Sequence, residues 1–303
     1  MKAPLLSILI PAYDYPEGVA RILHILEGQL RDDVDVVISD DSTGDSVADA
    51  VAPFLGTCPN ITYQRNTPGL GACANWNNLL DAARGHYCLL MHHDDFPASP
   101  RFLEGVAREL REGDWPDVLV LNCLLVSGAR ARKLHVPNRI RSEVVRHATR
   151  YLFARNVIGP PSVIVVRRAI YPRFDQRLQW MIDVDVYVRL LSHGSRVCFS
   201  DAVTVATSLN RSGSITESLR LSLGKVRRQE LAYLREKYPN DTVLALLAGT
   251  ELRARLARGI ETALWLAFKA FKVGWATVGP KSVMAVELPQ LVEPSPTHGR
   301  GAR

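Results

Sequence analysis

Three short apolar runs in the first hundred residues each lead into a cluster of polar side chains, and helical patterns separate them. Leu5–Ile10 ends in Pro11-Ala12-Tyr13-Asp14, Val34–Ser39 ends in Asp40-Asp41-Ser42-Thr43-Gly44, and Tyr87–Met91 leads to His93-Asp94-Asp95. Apolar runs this short, closed by proline or turn-forming residues, read as buried strands. Between the first two, Val19, Ile22, Leu23, Leu26 and Leu30 recur at helical spacing. Further helices are expected near Ser46–Leu55 and Ala72–Ala83, with a strand at Ile61–Gln64. Strands alternating with helices imply right-handed crossovers, hence an α/β chain with a Rossmann-like, mostly parallel sheet flanked by helices. Such sheets bind ligands beyond the carboxyl ends of their strands. All three polar clusters fall there.

The second half is less regular. Asp117–Val126 and Ser162–Val166 read as strands and Val184–Leu191 as a helix. From Glu217 onward the pattern is helical, with Leu219, Leu223, Val226, Leu231 and Leu234, then Val243, Leu246, Leu247, Leu252 and Leu256. Pro289–Arg303 is rich in Pro, Gly and Ser and is expected to be disordered.

Composition narrows the class. With 47% hydrophobic and 22% charged residues over 303 positions, the chain can bury a sizeable core. Cys58, Cys73, Cys88, Cys123 and Cys198 are dispersed, with no C-x-x-C pair, which fits a reducing compartment and excludes zinc spacing. The first apolar run lacks export-signal features. Ile260–Val278 is interrupted by Glu261, Lys269 and Lys272, so no spanning helix is expected. These features predict a cytoplasmic protein, with peripheral contact at the inner membrane face as an option. Between Arg130 and Arg173 eleven basic residues face Glu143 alone. That segment suits phosphates or a solvated face. Nucleic acid is not expected, because no aromatic RNA-binding or recognition-helix motif accompanies it.

The acids after the strands carry the chemistry. Adjacent carboxylates such as Asp94-Asp95 raise each other's pKa unless a cation neutralises them. Mn2+ or Mg2+ bridging to substrate phosphates is one solution, and a solvated turn is the other. Asp41 could accept the N3 hydrogen of uracil or thymine, or cap the helix near Ser46. Neither G-x-G-x-x-G after the first strand nor a P-loop occurs.

Taken in order, Ser7-Ile8-Leu9-Ile10-Pro11-Ala12-Tyr13-Asp14, Val37-Ile38-Ser39-Asp40-Asp41-Ser42-Thr43, Asn66-x-x-Gly69-Leu70-Gly71-x-x-x-Asn75-Trp76-Asn77 and Ala83-Arg84-Gly85-x-Tyr87-x-x-x-x-His92-His93-Asp94-Asp95 resemble the inverting glycosyltransferases of family 2. Further on, Arg173-Phe174-Asp175-x-x-Leu178-x-Trp180-x-x-Asp183-Val184-Asp185-x-Tyr187-x-Arg189-Leu190 resembles that family's late acidic motif. The resemblance implies the GT-A fold over residues 1–216, with a nucleotide-sugar half at about 1–98 and an acceptor half at about 99–216. A helical region at 217–288 and the tail at 289–303 would follow.

It also implies roles. Asp41 would bind the base of a UDP- or dTDP-linked donor, with Pro11, Ala12, Tyr13 and Asp14 lining the nucleoside pocket. Asn75 and Asp94 would contact the donor, and Asp95 would coordinate the metal. His93 stands where many relatives open the D-x-D motif with an acid, and is a further candidate ligand. Asp183 would be the general base, Trp180 a wall for the acceptor sugar, and Arg211 a mobile-loop cation near the diphosphate. Asp185 reads as a structural acid. The acceptor would be a glycan or lipid-linked hydroxyl, in bacterial surface polysaccharide synthesis. Processive Gln-x-x-Arg-Trp is absent, since Gln229-Glu230-Leu231-Ala232-Tyr233 does not supply it. Ile260–Trp275, with Leu264, Trp265, Phe268 and Phe271 beside Lys269 and Lys272, could dock on an anionic membrane or pack internally. A non-catalytic nucleotide-sugar-binding protein and a sugar-phosphate nucleotidyltransferase are the competing readings. Asp183 argues against the first, and the missing glycine-rich, lysine-bearing opening against the second.

Overall fold

A computed structural model of the chain describes residues 3–127, 131–192, 194–208, 219 and 221–248. Arg211, the segment Ile260–Trp275 and the tail lie outside the described residues. The first half follows the sequence pattern closely: β1 (Leu6–Ala12), α1 (Pro16–Glu27), β2 (Val34–Asp40), α2 (Ser46–Leu55), β3 (Ile61–Arg65), α3 (Ala72–Ala82) and β4 (Tyr87–Leu90). Every residue of β1, β2 and β4 is buried, as expected of parallel strands covered on both faces. Pro16 opens α1, where its missing N–H costs nothing.

The remaining elements are β5 (Asp95–Pro97), α4 (Phe102–Glu112), β6 (Val118–Ser127), β7 (Ala131–Leu134), α5 (Asn138–His147), β8 (Ile164–Arg167), α6 (Ile182–Leu191), β9 (Val197–Ser208), α7 (Leu223–Lys237) and α8 (Thr242–Leu247). They join one sheet in the order β3-β2-β1-β4-β8-β6-β9-β5, with β7 paired to β6. The β3-β2-β1-β4 half is parallel. Beyond β4 the pairing is mixed: β8 runs antiparallel to β4 and β6, while β9 runs parallel to β6. Asp95 therefore both ends the acidic cluster and starts β5, which pairs with β9 at Thr207.

The basic segment is largely spent on structure. Arg141 is wholly buried and donates to the carbonyls of Leu121 and Ile158 and to Asn138 Oδ1. Burial lowers its pKa to about 10. Arg167 pairs with Asp117, Arg150 with Asp241, Arg173 with Asp81 and Arg146 with Glu143, and Arg168 donates to the Gly85 carbonyl.

At the amino-terminal end of the parallel half, Ser7 Oγ donates to Asp35 at 2.6 Å and accepts from the Gly85 N–H at 2.8 Å. The chain approaches so closely here that a Cβ on Gly85 would sit 2.5 Å from the Ser7 nitrogen and 2.8 Å from the Tyr87 oxygen. Those atoms are backbone in adjoining β1 and β4 and cannot swing aside. Gly85→Ala should therefore cost ~1–3 kcal/mol, the range for overpacking. Urea unfolding checks this, and a midpoint equal to wild type would refute the close-approach argument.

Candidate active site

The loops after β1, β2 and β4 are stitched to one another by side chains that the sequence places there. Asp14, at φ 43°, uses its own N–H to reach Ser42 Oγ at 2.8 Å and accepts the Thr43 N–H at 3.0 Å. The Tyr13 N–H donates to His93 Nδ1 at 3.2 Å, tying the β1 loop to the β4 loop. The ring of Tyr13 stays 52% exposed, and Pro11 and Ala12 are buried beneath it.

Asp40 and Asp41 divide the end of β2 between them. Asp40 is fully buried and accepts from Ser42 N and Oγ and from the Tyr63 hydroxyl at 2.7 Å. Burial and this bond push the Tyr63 phenol well above its ordinary pKa. Asp41 accepts Asn66 Nδ2 at 2.7 Å on one oxygen and the Gly71 N–H at 2.7 Å on the other. Gly71 has φ +82°, so the amide that Asp41 receives comes from a conformation favouring glycine. Asp41 thus does not cap α2, whose start has no side-chain hydrogen bond. Asn75 lies behind it, donating to the Ser39 carbonyl at 3.0 Å and accepting from Asn66 at 3.3 Å.

At the end of β4 the residue drawn into the acidic cluster is His92, one position before the candidate His93. Ligand atoms of His92, Asp94 and Asp95 all lie within 4.8 Å of one another. Asp95 is 1% exposed, which rules out a solvated turn. Ser162 Oγ donates to Asp95 Oδ2 at 2.5 Å while accepting the His92 N–H at 2.9 Å, and Thr207 adds another hydrogen bond to Asp95. Asp95 Oδ1 and His92 Nε2 are buried with no hydrogen-bond partner among the described residues. Burial, reinforced by Asp94, lifts the Asp95 pKa well above the carboxylate range. Burial also lowers that of His92, keeping its imidazole neutral and able to ligate. Two buried polar atoms without a partner, in a cluster whose ligand atoms lie within 4.8 Å of one another, are what a cation site needs. The donor set fits a divalent metal.

Asp183 sits in the first turn of α6, a helix that starts two residues before the expected Val184. It accepts the Val184 N–H at 2.8 Å and Asn156 Nδ2 at 2.6 Å. Asn156 is itself fixed by the N–H groups of Ile158 and Gly159 and the Gly159 carbonyl. Burial outweighs these bonds and raises the Asp183 pKa to about 7. Asp185 is different: wholly buried, it is held by Arg189 at 2.7 Å, Lys237 at 2.9 Å and the Tyr238 hydroxyl at 2.7 Å. It is a structural acid. Tyr187 feels both candidate acids: its buried phenol is raised by desolvation first and then by Asp183, with Asp95 also contributing, and its hydroxyl donates to the Gly159 carbonyl at 3.0 Å. Trp180 is half-buried against the core, and its N–H points to Glu230.

Sequence reasoning missed His92, Ser162, Asn156 and Glu230. Only Asn156-x-x-Gly159 carried a local signal, a turn-forming pair ahead of two prolines.

Comparison with known proteins agrees with this geometry. The sequence pattern of "Glycosyl transferase family 2" matches residues 7–171, more than half of the chain. The chain is 28% identical over 296 residues to uncharacterized protein MT1568 of Mycobacterium tuberculosis, covering 92% of this chain and 86% of that one. It is 22% identical over 217 residues to the chondroitin synthase of Escherichia coli, covering 66% of this chain and 29% of that one. Among solved structures, S. aureus TarS residues 1–349 with UDP-GlcNAc superimposes with TM-score 0.62 at 17% identity, covering 80% of this chain and 71% of that one. The mannosyltransferase PcManGT of Pyrobaculum calidifontis, with GDP-Man and Mn2+, gives TM-score 0.57 at 17% identity over 90% and 84%. The chain has the GT-A fold and belongs to glycosyltransferase family 2.

Proposed function

We propose that this glycosyltransferase inverts the anomeric centre as it moves a sugar from a UDP- or dTDP-linked donor to a hydroxyl of a glycan or lipid-linked acceptor, in surface polysaccharide synthesis. The observation that carries the reading is Asp183, a carboxylate raised to about 7 by burial and held by Asn156 and the Val184 N–H. A donor-binding protein without catalysis has no use for such a base. The relatives that bind UDP-GlcNAc and GDP-Man support a nucleotide-sugar donor in general terms. Asp41 supports the pyrimidine, because a carboxylate with two hydrogen bonds keeps lone pairs for an N3 hydrogen. No described helix is long and apolar enough to cross a membrane. A lipid-linked acceptor would be met at the membrane surface, with Ile260–Trp275 as the docking segment.

In the mechanism we infer, the loops after β1 and β2 hold the nucleoside, with Tyr13 offering its exposed ring and Asp41 its carboxylate. His92, Asp94 and Asp95 would hold Mn2+ or Mg2+. When bound, the ion supplies positive charge against which the nucleoside diphosphate can leave. Asp183 accepts the proton of the acceptor hydroxyl as that oxygen attacks the face opposite the diphosphate, which inverts the configuration. Asn156 and the Val184 N–H orient the carboxylate for that transfer. A base half-ionised near neutrality is well matched to the task.

A screen of nucleotide-sugars for thermal stabilisation, with and without Mn2+, supplies the donor for the tests. Asp183→Asn keeps the size of the side chain but removes its basicity. Single-turnover transfer should fall at least ~10²-fold, within the range for acid–base groups, with donor affinity unchanged. Near-normal turnover, or a retained anomer by NMR, would reject both the base and the inversion.

The same group makes a stability prediction. Its folded pKa lies above the ordinary 3.8, so its contribution is fully present below about pH 4 and is lost as pH rises through about 7. Asp183→Asn should remove that decline, gaining on wild type across this window in urea titrations. Parallel pH profiles would show that the carboxyl is not perturbed.

For the metal, calorimetric titration of UDP with saturating Mn2+ should lose its metal-dependent part in Asp95→Ala. His92→Ala should weaken Mn2+ more than Mg2+, because the imidazole nitrogen suits the softer ion better. Metal-dependent UDP affinity unchanged in both variants would discard this donor set.

A further inference from the structure

Glu230 is a carboxylate 5% exposed, on a helix beyond the family-matched residues, and it receives three consecutive main-chain N–H groups. Gln179 donates to it at 2.5 Å, Trp180 at 3.0 Å and Met181 at 2.8 Å. These amides lead directly into α6, whose own amino terminus has no side-chain cap. A helix start leaves its first N–H groups without intrahelical partners, and a negative charge there is favoured by the helix dipole. Of the three, Met181 is the N-cap residue of α6 and the other two belong to the turn that leads into it, so Glu230 holds the entry to the helix from 49 residues away in sequence.

The same helix grips the segment around Asp183 at several further points. Lys237 and the Tyr233 hydroxyl both reach Asp175 at 2.6 Å. Despite its burial, these bonds bring the Asp175 pKa down to about 2. Lys237 and Tyr238 hold Asp185. Arg227 donates at 3.0 Å to the Ala154 carbonyl, two residues before the Asn156 that orients Asp183. Both supports of Asp183, the first turn of α6 and the Asn156 loop, are therefore fastened to α7.

We propose that Glu230 is a positioning residue for Asp183, so that α7 sets the orientation and acidity of the base from outside the donor-binding half. The proposal rests on the reading of Asp183 as the base, and deepens it. Among the described residues, the charged group that bears on Asp183 is Glu230 from α7, while Asp183 and Asp95 each act on the buried Tyr187 phenol of α6. Asp185 is neutralised by Arg189 and Lys237. Glu230 is the neighbour whose negative charge favours the protonated form of Asp183.

The test reads the carboxyl itself. Titration of the Asp183 side-chain carbon by 13C NMR, assigned by its loss in Asp183→Asn, should give a midpoint that moves about 0.5 unit lower in Glu230→Gln. Single-turnover transfer by Glu230→Gln should drop about tenfold with donor affinity held, and Glu230→Asp should restore part of it. An unmoved midpoint with unchanged turnover in Glu230→Gln overturns the proposal. In the wild-type protein, which needs no variant to fold, the amides of residues 179–181 should exchange with solvent as slowly as those inside α6. Fast exchange there overturns it as well. Normal turnover in Asp183→Asn would instead reject the base assignment, whatever Glu230 does.

Discussion

A carboxylate taken out of water costs several kcal/mol unless hydrogen-bond donors or cations replace the solvent. This chain buries several of them at strand and helix ends, and much of its architecture answers that cost. Asp40 and Asp41 are met by hydroxyls and amides from the β2 and β3 loops, and Asp14 is met by Thr43. Because Thr43 reaches Asp14 from the β2 loop, and Tyr63, Asn66 and Gly71 reach Asp40 and Asp41 from β3 and the loop after it, satisfying the acids also ties these segments together. The rim of the parallel half is rigid for the same reason that it is charged.

Where the compensation is incomplete, the acid is one to which we assign a chemical role. Asp175 has Lys237 and Tyr233 and is pulled down to about 2, and Asp185 has Arg189, Lys237 and Tyr238. Among the described residues Asp95 and Asp183 receive hydrogen bonds but no salt bridge, and both are raised, Asp95 even though the charge of Arg21 acts the other way. One Asp95 oxygen has no hydrogen-bond partner among the described residues. Four buried or half-buried carboxyls within one stretch of fold thus separate into two kinds by what faces them. A site in which environments push like groups apart is a usual mark of assigned acid–base roles.

The parallel half was legible because its central strands, buried on both faces, read as short, mainly apolar runs, interrupted by Ser7 in β1 and by Asp35 in β2. Beyond β4 that signal fails. β9 alternates buried, half-buried and exposed positions, and β5 is three residues long. The positions of the candidate acids were legible to the same extent: Asp41, Asp95 and Asp183 stand at strand or helix ends that the pattern locates. The histidine was harder to place, since successive side chains of an extended segment point to opposite sides. Which of His92 and His93 turns inward depends on the Ser162 hydroxyl that receives the His92 amide and on the Tyr13 amide that takes His93. Both contacts come from distant parts of the chain. Glu230 was beyond reach for a stronger reason. Its partners are backbone amides, which carry no residue identity.

The two sides of the site therefore rest on different kinds of support. Donor-side acids are held by the loops of the sheet that bears them, so their geometry is set once the sheet forms. Asp183 depends on α7, a helix whose contacts with the 175–189 segment are mainly ionic and hydrogen-bonded through Glu230, Tyr233, Lys237 and Tyr238. Its apolar anchors in the core, Leu231 and Leu234, lie on the same face as those polar groups. Polar contacts lose their strength quickly when geometry slips, whereas apolar burial tolerates small shifts. On the proposed role of Asp183, its orientation is more sensitive to α7 than overall stability is, and turnover can be altered from this helix while the donor pocket stays intact.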